Sequence, residues 1–116
     1  MAEKTDKLAL LRAYLDNDKQ QIKEMLELFL ENTPNDLKEL TLLCEKNDVE
    51  NIRKTAHRVK SSVKFFGLNE VAEILQEMET ISWKNQPKNQ LETLVKQVNK
   101  LMNHELELLR KELIWL

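Results

Sequence analysis

The chain has little that interrupts a helix: one glycine and two prolines in 116 residues. With Leu, Glu, Lys and Gln abundant, that scarcity favours helix almost throughout. It also leaves no glycine-rich loop to cradle a nucleotide phosphate, so an ATP-binding kinase core is excluded. A single cysteine, Cys44, excludes an intrachain disulfide. No apolar run approaches the roughly 18 residues of a membrane span, and none resembles a signal peptide, so the expectation is a reduced, cytoplasmic chain. Nor is there an excess of positive charge. The formal net charge of −2 gives the chain as a whole no attraction for nucleic acid. With no internal repeat and no low-complexity tract, residues 1–116 are expected to form one domain, large enough for a single core without metal or disulfide.

Apolar periodicity then divides the chain. Thr5 is placed to cap a short helix carrying Leu8, Leu11 and Leu15, which ends near Asp16-Asn17. Asp18 and Gln21 have the form of a capping box, and Ile22, Met25, Leu26, Phe29 and Leu30 follow on one stripe. Thr33-Pro34 either starts a new helix or kinks a continuous one; both readings put Leu37, Leu40 and Cys44 on a core face, which makes the thiol a buried one. Asn47-Asp48 makes a short turn and cap before a helix over about 48–66, and so short a link implies antiparallel neighbours. Asn69 suits the cap of the next helix, with Val71, Ile74, Leu75 and Met78 as its buried stripe. Trp83 through Asn89 reads as a linker containing Pro87 and three amides. The last helix has a broad apolar face from Leu91 to Leu109, with Glu105 in conflict on its centreline and His104 on the surface. The apolar end, Leu113 to Leu116, suits folding back on the first helix or meeting a partner. The expected fold is all-α: an antiparallel up-down four-helix bundle with a short extra N-terminal helix.

Within the helix over 48–66 lies the most informative stretch. At about 100° per residue, Val49, Ile52, Ala56, Val59 and Val63 fall on one stripe that wants a core. Arg53, His57, Lys60 and Lys64 form a second stripe, roughly 100° around, that is expected to face water. Stacked cations on a helix cost a few tenths of a kcal/mol per pair, so this stripe is better explained as an anion site than as a stability device. Ser61 and Ser62 clear space beside the imidazole for another surface. Gly67, the only glycine, is suited to the left-handed position that ends the helix. Because the chain turns there, His57 is expected to face Met78 and Glu79. Glu79, the polar one of the two, is then the group able to accept a hydrogen bond from Nδ1–H and leave Nε2 free, the alternative being a solvated helix residue.

Ala56-His57, Lys60 at +3, small residues at +4 and +5, Gly67 at +10, Leu68 at +11, and later Leu75 and Met78-Glu79 resemble the signature of histidine-containing phosphotransfer (HPt) domains. The pattern departs at Ser61, where the family usually has glycine. The resemblance implies that His57 accepts a phosphoryl group from an aspartyl phosphate on a receiver domain and passes it to another receiver aspartate. Lys60, with Arg53 and Lys64, is then expected to offset the added negative charge, and Glu79 to orient the ring. Phe65 sits away from the core stripe and is expected either to dock the partner or to pack at the helix end, with Ser61 and Gly67 completing the binding surface. No cofactor is expected on this chain; Mg²⁺ and most of the transition-state stabilisation would come from the receiver. Other implied features are a possible hybrid sensor kinase as source of the domain, a monomeric state, and no enzymatic core. As a surface residue, Lys60 is expected to change stability by less than about 0.5 kcal/mol when replaced.

A non-phosphorylated helical adaptor that grips a partner helix is the alternative from another class. A metal-binding bundle is the third reading, but His57 and His104 lack the paired Glu-x-x-His pattern of such sites.

Overall fold

The computed structural model describes residues 8–82 and 88–116. Among these the chain forms five helices and no strand: α1 (Ala9–Tyr14), α2 (Lys19–Lys46), α3 (Val49–Phe65), α4 (Asn69–Ser82) and α5 (Lys88–Ile114). The four long helices pack in a closed ring, α2 on α3, α3 on α4, α4 on α5 and α5 on α2. Their inner stripes merge into one apolar core that also takes in Leu8 and Leu11 from the N-terminal segment. None of the described helices is long and apolar enough to cross a membrane. The expected cap at Thr5 and most of the linker, residues 83–87, lie outside the described residues, and α5 begins within the expected linker, at Lys88.

Local chemistry sets the boundaries. The Asp18 carboxylate accepts from the backbone N–H of Gln21 at 3.1 Å, one half of the expected capping box. The other half is replaced, because the Asp18 N–H donates to the Leu15 carbonyl instead of to Gln21. α2 then runs unbroken through Pro34. An interior proline costs about 3 kcal/mol through its missing N–H and its ring. Burial of Ile22, Leu26 and Phe29 before it and of Leu37, Leu40 and Cys44 after it holds both halves on one core. Asn47 ends α2 in the left-handed region, at φ 55°, and Asp48 caps α3 by accepting from the Asn51 N–H. Between α2 and α5, Asn99 donates to the Thr41 hydroxyl, which donates in turn to the Leu37 carbonyl.

The turn after α3 fixes the site above it. Gly67 adopts φ 67°, its N–H reaches the Lys64 carbonyl and the Leu68 N–H reaches the Val63 carbonyl. This is a Schellman closure, completed by burial of both Val63 and Leu68. Asn69 is the first residue of α4 and not its cap, since the chain leaves the turn through the Leu68 carbonyl, which accepts from Ala72. Along α5, Leu91, Leu94, Val95, Val98, Met102, Leu106 and Leu109 are buried, while Glu105 is only half-buried. Leu113 and Leu116 pack against the core, whereas Ile114 and Trp115 stay exposed.

Candidate functional site

The site is built where α3 lies against α4. Ala56, Val59 and Val63 anchor α3 in the core, and this rotates His57 outward, leaving its side chain 64% exposed. On α4, Leu75 and Met78 are fully buried, which brings Glu79 to the α3 side of that helix. The two meet: His57 Nδ1 lies 2.8 Å from Glu79 Oε1. With Glu79 ionised, the nitrogen in that contact carries the proton and donates it. Among the described residues no hydrogen bond to Nε2 is seen, so the nitrogen with the free lone pair is the one facing solvent. Glu79 is not a solvated helix residue, since its side chain is only 13% exposed.

Lys60 departs from the expectation of a water-facing stripe. It is 9% exposed, with Nζ 2.6 Å from Glu79 Oε2 and 2.6 Å from Gln76 Oε1. The reason is angular. Lys60 lies only about 40° around the helix from Ala56 and about 60° from Val63, so it borders the buried stripe on the side covered by α4. An ammonium there is tolerable only if paired and hydrogen-bonded, and α4 supplies a carboxylate and an amide. Gln76, whose own amide donates to the Thr80 hydroxyl at 3.4 Å, was not singled out by sequence. Its spacing of three from Glu79 on the same helix was the available signal.

One carboxylate thus serves two donors, an ammonium and an imidazole N–H. Burial pushes the Glu79 carboxyl up, but hydrogen bonds from Lys60 and His57, with their charges, outweigh it and hold the group below its ordinary value. The carboxylate therefore stays ionised near neutral pH and keeps Nδ1 as the protonated nitrogen.

The other predicted residues surround this centre. Arg53 is half-buried one turn before His57, and Lys64 is exposed two turns after it. Ser61 and Ser62 turn their hydroxyls back onto the carbonyls of His57 and Arg58, so the surface beside the imidazole stays low even though Ser61 replaces the glycine usual in the resembled pattern. Phe65 is 37% exposed and meets Tyr14 edge-on, with ring centroids 5.2 Å apart. Phe66 turns inward against Phe29. Met25, counted on the core stripe by periodicity, is exposed and lines an open groove of about 500 Å³ between α2 and α3 together with Leu28 and Phe65. Arg58, which sequence reasoning passed over, reaches Asp36 at 3.0 Å and Glu39 at 3.3 Å across to α2. Among the described residues no group of three or more His, Cys, Asp or Glu side chains is gathered to hold a metal.

Fold and site together define a helical module that presents one anchored imidazole to solvent. A family model for the Hpt domain matches residues 24–112, and the chain belongs to that family. Hpt domains are phosphocarriers, not catalytic domains, and exchange phosphoryl groups with receiver domains in two-component signalling. No curated protein and no solved structure matches the chain.

Proposed function

We propose that His57 is the phosphoacceptor of a phosphorelay. Its Nε2 lone pair attacks the phosphorus of an aspartyl phosphate on a receiver domain, an N–P bond forms, the acyl P–O bond breaks, and the aspartate leaves as carboxylate. The ring keeps its Nδ1 proton throughout, so the charge that develops on the imidazole is met by the Glu79 carboxylate. The reverse sequence delivers the group to a second receiver aspartate. The observation that carries this reading is the 2.8 Å contact from Nδ1 to Glu79 under a ring whose side chain is otherwise 64% exposed.

Lys60 contributes through Glu79, whose charge it shares, as well as through the positive potential it adds beneath the phosphoryl group. Lys64 and Arg53 supply further positive charge on the approach. Ser61, Gly67 and Phe65 shape the surface on which the receiver lands. Mg²⁺ comes with the receiver. The ring of helix contacts and the short connections support an up-down antiparallel bundle in one domain over residues 1–116. A monomer acting in the cytoplasm, alone or as part of a hybrid sensor kinase, is the accompanying proposal, since a phosphoacceptor whose ring is held within its own chain by Glu79 needs no second copy.

Incubation with a receiver domain charged by acetyl phosphate tests the assignment. The wild-type chain should gain an acid-labile, base-stable label, and His57→Gln should gain none. Equal labelling of the two would remove His57 from the reaction.

A further inference from the structure

Eight large hydrophobic side chains are exposed among the described residues, and five of them, Leu10, Tyr14, Met25, Leu28 and Phe65, border two grooves that share Ser61 and Phe65. One is the groove between α2 and α3. The other, about 330 Å³, lies between α1 and α3 and is walled by Leu10, Tyr14, Ser61, Lys64 and Phe65. Apolar exposure is thus concentrated astride Phe65 and begins at Ser61, one turn from His57.

The α1 wall is held firmly although it is short. Leu8 and Leu11 are buried in the core, and Leu10 lies against the turn, with Cδ1 3.8 Å from where a Cβ on Gly67 would stand. Tyr14 makes its edge-on contact with Phe65 and still leaves 74% of its surface in solvent. A large aromatic pinned at one edge and open elsewhere loses little entropy when a partner covers it, the property of an interface anchor. α1 also lies outside the residues matched by the family model, which begin at position 24.

We infer that α1 is the partner-selecting element of this chain: Leu10 and Tyr14 complete a groove beside Phe65 that receives an apolar side chain of a receiver domain docked over His57. This rests on the reading of His57 as phosphoacceptor. Phe65 lies eight residues beyond His57, or about 12 Å along the helix. A protein interface of ordinary size covers about 800 Å² per partner, a patch roughly 30 Å across, so a domain centred on His57 is wide enough to reach Phe65 and the groove edges at Ser61. Lys64 on the rim faces the side from which an anionic aspartyl phosphate arrives, a match of charge.

Two phosphodonors separate docking from chemistry. Phosphoramidate is small and needs no docking; a panel of receiver domains charged by acetyl phosphate does. Tyr14→Ala and Leu10→Asp are expected to lower kcat/KM from receivers by about fivefold or more, through KM and by unequal factors across the panel. Labelling of His57 by phosphoramidate should stay within about twofold of wild type. Leu42→Ala, at an exposed apolar position outside both grooves, should change neither. Wild-type rates from every receiver in both variants would overturn the inference. So would losses that are equal for the two donors, or self-association of the wild type that both variants abolish. Failure of phosphoramidate to label wild-type His57 would overturn the phosphoacceptor reading itself, and this inference with it.

Discussion

Replacing Lys60 by methionine keeps the unbranched stem and removes the ammonium, which isolates the contribution of the charge beneath His57. In the wild type the ammonium sits 2.6 Å from the Glu79 carboxylate, and the two side chains are 11% and 13% exposed. Breaking a fully buried pair from one side costs about 3–5 kcal/mol. Residual exposure, and the remaining contact from His57, place this case lower, at about 2–3 kcal/mol. For a chain of this length unfolding entropy makes 1 kcal/mol worth about 4 °C, so the variant should melt about 8–12 °C below wild type at pH 7. That is well above the change of less than about 0.5 kcal/mol appropriate to a surface lysine. The pH dependence supplies a second readout. In the wild type the Glu79 carboxyl is held below its ordinary value of 4.5. Its stabilisation is therefore fully present above the unfolded value and is lost as pH falls through the folded one. Without Lys60, burial is opposed less strongly, and the folded carboxyl takes up a proton more readily. The gap between wild type and variant should thus be widest near neutral pH, start to close above 4.5 and go on closing below it. Thermal melts followed by circular dichroism at pH 7 and about pH 4 measure this, and Lys60→Met/Glu79→Gln should recover most of the loss at pH 7. A variant that melts within about 1 °C of wild type, or a gap equal at both pH values, would refute the argument.

Glu79→Leu removes the acceptor for Nδ1–H and should slow labelling of His57 by phosphoramidate by about tenfold or more, whereas Glu79→Gln, which keeps an amide oxygen, should restore much of the rate; a leucine variant at wild-type speed would take Glu79 out of the reaction. Gly67→Ala should lower stability by about 1 kcal/mol through strain at positive φ alone, because the added Cβ meets only Leu10 at an ordinary 3.8 Å. A melting temperature unchanged, or lowered by several times about 4 °C, would show that the turn relaxes or that space is limiting after all. Burial, with Glu92 and Glu45 adding to it, pushes the Cys44 thiol up to about 12, so iodoacetamide at pH 8 should modify it only in denaturant; rapid alkylation of the native chain would mean that α2 and α5 open there.

The helices were legible because the signals for them are local. Asp18, Asn47-Asp48 and Gly67 act within four residues of themselves, and all three mark helix ends in the structure. The position of Glu79 beside His57 was also within reach, since a tight turn at Gly67 sets positions before it against positions after it. What periodicity could not give was the depth of each residue. Lys60 and Lys64 share a stripe on a helical wheel, yet α4 covers one and leaves the other exposed. The wheel has no record of where the neighbouring helix lies. Met25 shows the reverse error, an apolar residue in perfect register that the bundle leaves on the rim of a groove. Pro34 was undecidable for a related reason: its local cost is fixed, and only the burial on either side, a tertiary quantity, determines whether the helix survives it.

The burial of Lys60 changes how a single exposed histidine can be held ready. A ring fixed only by solvated neighbours would exchange its Nδ1 partner with water and sample both tautomers, one of which has the wrong nitrogen free. Here the acceptor is itself desolvated and pinned from behind by an ammonium that Gln76 also holds. Rotating Glu79 away from His57 would then mean disturbing an ion pair in a low-dielectric setting, where such a pair is stronger than in water. The exposed atom inherits its order from charges that solvent barely reaches. That arrangement leaves Nε2 accessible to a partner without leaving the ring free to turn.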